Sequence, residues 1–105
     1  MGKRKHLEKL REFKDRLSKE IPLEKVYLFG SRAKGKPHRW SDFDLLIVSS
    51  EFRGKKFRYR PLGFWKYWDL RYPVDFLCYT PEEFNKLKKQ VTIVREAVEE
   101  GIEIK

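Results

Sequence analysis

A chain of 105 residues is long enough for one compact core and too short for a catalytic domain plus a separate substrate domain, so a single domain spanning residues 1–105 is expected. Twenty-five Lys and Arg against sixteen Asp and Glu leave a formal charge of +9, which favours phosphate-bearing or acidic partners without naming a reaction. The apolar runs are far too short to cross a bilayer, and the single cysteine, Cys78, cannot form an internal disulfide. The expectation is a soluble, cytoplasmic protein with no membrane partner.

From Lys5 to Lys19, Leu7, Leu10, Phe13 and Leu17 recur at helical spacing before Pro22, which predicts a first helix. Lys25–Phe29 is a short apolar run stopped by Gly30 and reads as a buried strand entering a tight turn, with a short helix over Ser31 to Lys36. Asp42 to Val48 and Tyr72 to Tyr79 read as two further central strands, the second with Asp75 embedded in it. Between them, a loop and then a helix from about Pro61 are expected. Thr80-Pro81-Glu82-Glu83 has the form of a helix start, with a hydroxyl cap, proline at the first helical position and glutamate at the third. Phe84, Leu87, Val91, Val94 and Val98 carry that apolar stripe, with a break near Gln90, and Ile102 to Ile104 can add an edge strand. This alternation predicts an α/β (α+β) fold, a small mixed β-sheet covered by helices.

Asp42 and Asp44 stand two residues apart at the start of a predicted strand, so they share a face about 6.5 Å apart along the chain. Two ionised groups there repel each other, and a third carboxylate, Asp75, from another strand adds to the cost unless a cation neutralises them. Hard oxygen ligands on a sheet suit Mg²⁺. An isolated Asp-x-Asp is more often a turn or cap at a strand start. The element upstream shifts the balance: Gly30 lets the backbone approach a phosphate closely, and the following N–H groups and the Ser31 hydroxyl can donate to its oxygens.

Leu28-Phe29-Gly30-Ser31, ten intervening residues, then Asp42-Phe43-Asp44-Leu45, with Val74-Asp75-Phe76 further on, resembles the signature of the DNA polymerase beta superfamily of nucleotidyltransferases. The small size is similar to the minimal nucleotidyltransferases, many of which are antitoxins paired with HEPN-domain toxins. The resemblance implies a palm-like nucleotidyltransferase fold, ATP or another nucleoside triphosphate as substrate, and two Mg²⁺ ions. By it, Gly30 and Ser31 bind the triphosphate, Asp42 and Asp44 hold the metals, and Asp75 completes the second metal site and helps to activate the attacking hydroxyl. Arg32, and less directly Lys34 and Lys36, would neutralise the β- and γ-phosphates. Minimal members transfer AMP to a tyrosine of a HEPN partner, so a protein hydroxyl is the first-choice acceptor and a nucleic-acid hydroxyl the second. The reading from another class is a non-catalytic antitoxin or a module that binds protein or RNA through its charged surface.

The basic and aromatic run Lys55 to Tyr72 invites a nucleic-acid reading, with Arg58, Arg60 or Lys66 on phosphates. Packing is the stronger reading: in a small domain most of Leu62, Trp65, Trp68 and Leu70 are expected to pack a helix on the sheet, leaving some rings for a partner surface. His6 and His38 lack a spaced Cys or His companion and are expected to be solvated.

Overall fold

Leu10, Phe13 and Leu17 recur with helical period, and the chain forms α1 (Lys3–Ser18) with all three fully inside. The protein, described by a computed structural model over residues 3–34 and 42–105, continues with β1 (Lys25–Phe29), α2 (Ser31–Lys34), β2 (Phe43–Val48) and β3 (Val74–Tyr79). It ends with α3 (Pro81–Leu87), α4 (Ile93–Glu100) and β4 (Ile102–Glu103). The strands form one sheet in the order β3-β2-β1-β4. The β2–β3 pair is parallel, whereas β1 runs antiparallel to β2 and to β4. This is the mixed sheet expected from the alternating elements.

Alternation along the strands divides the core. Phe43, Leu45 and Ile47 of β2 pack with Phe76 and Cys78 of β3 on the face covered by α1, where Phe13 stacks on Phe76 at 5.5 Å between ring centroids. Leu46 and Val48 pack on the other face with Tyr27, Phe29, Phe84, Val94 and Ala97 under α3 and α4. Each fully buried Val, Leu, Ile or Phe contributes about 1.5–3 kcal/mol relative to exposure, so β2 is fixed from both sides. The start of α3 is held by a reciprocal capping box: the Glu83 amide donates to the Thr80 hydroxyl at 3.1 Å, and the Thr80 amide donates to Glu83 Oε1 at 2.9 Å.

The helix expected from Pro61 does not form. The segment makes short 3-10 turns at Ser50–Phe52, Phe57–Tyr59 and Phe64–Tyr67. Gly63 takes φ 88 between two of them, a left-handed conformation that breaks helical continuation. In consequence Leu62 and Trp65 are 71% and 57% exposed rather than packed on the sheet, although Trp68 and Leu70 do lie against the core. Val91, placed on the α3 stripe by spacing, is 95% exposed, because the chain turns there and Thr92 restarts the helix as the cap of α4. Arg60 is also not a surface cation: its guanidinium donates to the Cys78 carbonyl at 3.1 Å and pairs with Glu83 at 2.6 Å.

Candidate functional site

Because β1 runs antiparallel to β2 and β2 runs parallel to β3, the end of β1 and the beginnings of β2 and β3 meet at one edge of the sheet. Asp44 occupies the middle, in register with Phe29 of β1 on one side and with Asp75 of β3 on the other. Paired positions on neighbouring strands point to the same face, here the one covered by α3 and α4. Asp42, just ahead of β2, and Asp75 are exposed, and Asp44 is half-buried.

Burial first, and then the negative charges of Asp75 and Asp42, hold the Asp44 carboxyl above its ordinary range. The site is therefore one that a cation would relieve. Among the described residues no three His, Cys, Asp or Glu side chains close around a single metal position. An open row of hard oxygens suits Mg²⁺, which keeps water and substrate phosphates among its ligands. The donor chemistry fits that ion.

Gly30 ends β1 with φ 76, and a Cβ there would stand 2.5 Å from Asp44 Oδ2. Only glycine lets the turn run against that carboxylate. The Gly30 carbonyl accepts from the Ala33 and Lys34 amides at 3.1 and 3.2 Å, which starts α2. Ser31 lies ahead of those bonds, and neither its amide nor its hydroxyl is spent on another described group.

The structure places the basic residues after the turn differently from one another. Arg32 is buried, its guanidinium over the rings of Phe43 and Tyr72 at 4.7 and 4.5 Å, on the α1 side of the sheet and away from the carboxylate face. Lys34 reaches α4, 3.6 Å from Glu96 and 3.9 Å from Glu100. Local spacing carried no sign of that contact, since its partners lie some sixty positions away. Lys36 and His38 lie outside the described residues.

His6 corrects the sequence expectation of a solvated side chain. It is buried edge-on against Phe43 and Tyr72, with centroids 5.2 and 5.5 Å away, and its Nε2 has no hydrogen-bond partner among the described residues. Burial first and the Arg32 charge second lower its pKa, so it is the neutral imidazole that packs there. A signal existed in the sequence: His6, Leu10, Phe13 and Leu17 share one helical stripe.

The profile of the nucleotidyltransferase domain family matches residues 10–104. The chain is 35% identical over 98 residues to the Haemophilus influenzae protein described as "Probable protein adenylyltransferase MntA", covering 91% of this chain and 86% of that one. A crystal structure from Sulfolobus solfataricus, described as that of "a putative nucleotidyltransferase", superposes with a TM-score of 0.64 at 28% identity, covering 85% of this chain and 79% of the other.

Proposed function

The chain belongs to the nucleotidyltransferase domain family, and from that premise we propose that it transfers AMP from ATP to a protein hydroxyl, as the antitoxin partner of a HEPN-domain toxin. The observation that carries this reading is the shared register and face of Asp44 and Asp75, with the Gly30 turn pressed against Asp44. The relative's description as a protein adenylyltransferase supports the choice of AMP and of a protein acceptor.

In this proposal the amides after Gly30 and the Ser31 hydroxyl bind the triphosphate, and Arg32 adds positive charge behind the turn. Asp42, Asp44 and Asp75 hold Mg²⁺, which when bound stabilises the entering and leaving oxygens of an in-line displacement. Asp75 orients the acceptor hydroxyl and takes its proton. The acceptor oxygen bonds to the α-phosphorus, the bond to the β-phosphate oxygen breaks, and pyrophosphate leaves with its electron pair.

The test is transfer of label from α-labelled ATP to a purified HEPN-domain protein, with and without chelator. Label on the acceptor that disappears with EDTA and with Asp44→Asn is the expected result. Transfer that survives both would overturn the metal assignment, and a parent protein that labels no protein or RNA would overturn the enzymatic reading.

A further inference from the structure

We infer that the outer edge of β3, with the exposed strip 57–66 beside it, is the docking surface for the acceptor, and that the acceptor is a protein presenting an acidic rim around an apolar recess. The inference rests on the nucleotidyl-transfer reading for its geometry. Across the sheet the candidate site runs from Gly30 and Ser31 at the end of β1, through Asp44 on β2, to Asp75 on β3. The outer side of β1 is closed, since β4 pairs there and Lys34 ties α2 to α4. No strand pairs with the outer side of β3 among the described residues. Among the described residues, a hydroxyl that must reach Asp75 therefore has its open approach from the β3 side.

The strip 57–66 runs along β3 from Phe76 to Tyr79. Phe57 packs against Tyr79 at 5.3 Å and Arg60 donates to the Cys78 carbonyl, both toward the far end of β3 from Asp75, and Trp65 stands edge-on to Phe76 at 5.4 Å, on the α1 face of the strand that carries Asp75 on its other face. The segment is anchored to the strand carrying the acceptor-side carboxylate through buried Phe64 and through Arg60, yet four of its large apolar side chains face outward. Phe57, Tyr59, Leu62 and Trp65 are 45%, 48%, 71% and 57% exposed. Single exposed apolar residues are ordinary, whereas four in nine positions mark a surface that is covered in use.

Charge and chemistry select the occupant. Lys55, Lys56, Arg58 and Lys66 rim the strip and are exposed; the acidic groups facing it are Glu20, Glu51 and Glu83, of which Glu51 lies 3.9 Å from Lys55 and Glu83 is paired with Arg60. The surplus is positive and fits an acidic rim. Leu62, the most exposed of the four, offers no face to a base, and Arg58 already covers one side of the Tyr59 ring at 4.8 Å. Base stacking by single-stranded nucleic acid uses open ring faces. Aliphatic and aromatic anchors rimmed by cations instead match the centre of a protein interface.

The experiment is calorimetric titration of the same purified HEPN-domain protein into the parent, Leu62→Asp, Trp65→Ala and Lys56→Glu/Lys66→Glu, without nucleotide. Mg-ATP binding and thermal melting are measured beside it, and the exposure of all four positions keeps the fold. About tenfold or greater weakening with Leu62→Asp and Trp65→Ala, at unchanged Mg-ATP affinity, is the expected result. The double charge reversal should slow association and flatten its salt dependence. In transfer assays the same variants should raise the acceptor KM and keep kcat. Parent-like affinity in the variants, or no complex with the parent, overturns the inference. It is also overturned if a single-stranded RNA oligonucleotide, and not the protein, loses affinity in the variants. Docking without transfer would sink the catalytic reading while leaving the surface standing; transfer with unchanged acceptor KM would do the reverse.

Discussion

Gly30 and Asp44 are in direct opposition: the turn that ends β1 passes so close to the carboxylate that a single added methyl group at 30 would stand 2.5 Å from Asp44 Oδ2. Two costs then fall on Gly30→Ala, an alanine held at φ 76 and a displaced carboxylate. The backbone part alone is about 1–3 kcal/mol. The expected outcome is a lowered melting temperature together with loss of nucleotidyl transfer, measured on the same preparation. A variant that melts and transfers like the parent would show that the turn and the carboxylate are not coupled.

Asp44→Asn should separate stability from activity. The folded state raises the Asp44 pKa above its ordinary 3.8, chiefly by burial, so the native protein binds that proton more tightly than the unfolded chain does. Asp44 therefore lowers metal-free stability as pH rises from 3.8 through the raised folded-state value, and the cost is complete above that value. The asparagine variant should melt higher than the parent at pH 7 without metal, with the difference shrinking in acid. Transfer should fall by more than the roughly 10–100-fold that loss of a group behind a ligand costs. Equal melting curves at pH 7, recorded in EDTA, would refute the electrostatic part.

The strands and helix starts were legible because their signals are local. Lys25–Phe29 ends at a glycine, and Thr80 through Glu83 specify a capping box that forms as spaced. What the sequence did not reveal depends on distant partners or on a local break outweighing a pattern. His6 reads as polar and exposed until Phe43 and Tyr72 are brought over it from other elements. Leu62 and Trp65 read as one packed helix until Gly63 turns left-handed between them. For the site, Gly30, Ser31 and the Asp42/Asp44 pair were visible as short-range motifs. The register of Asp75 opposite Asp44, the contact of Lys34 with α4 and the stacking of Arg32 all needed the sheet pairing, which no short-range spacing encodes.

Glu83 should respond to acid with the opposite sign to Asp44. Hydrogen bonding from Arg60 lowers its pKa below the ordinary 4.5, so its contribution is present above that value and is lost as pH falls through the depressed one. Removing it opens the capping box and leaves a guanidinium, whose side chain is only 8% exposed, with the Lys55 and Cys78 carbonyls but no counter-charge. Glu83 itself is 40% exposed, which reduces the expected cost of Glu83→Ala to about 2 kcal/mol, below the roughly 3–5 of fully buried pairs. Thr80→Ala deletes only the cap and should cost about 1 kcal/mol. Urea titrations of both variants check the order; a Thr80→Ala cost equal to that of Glu83→Ala would mean the Arg60 pair contributes nothing.

Arg32 separates charge from shape. Its guanidinium sits over Phe43 and Tyr72 with both ring centroids within 5 Å of its centre, and Phe43 directly precedes Asp44 in β2. Lysine keeps the charge but is a compact, strongly hydrated point charge that cannot stack as a plane. If Arg32 serves the triphosphate by charge alone, Arg32→Lys should retain most Mg-ATP affinity while Arg32→Ala loses it. If its work is to hold the rings beneath the start of β2, both variants should lose stability alike, by about 0.5–2 kcal/mol for the lost ring contacts, and both should lower transfer. The buried position over two rings makes the second pattern the expected one for melting temperature, and the proposed charge behind the turn predicts that ATP affinity falls further in Arg32→Ala than in Arg32→Lys. Melting curves and Mg-ATP titrations on the same two variants read these effects separately. A lysine variant with parental stability would remove the stacking role, and identical ATP affinities in the lysine and alanine variants would remove the role of charge.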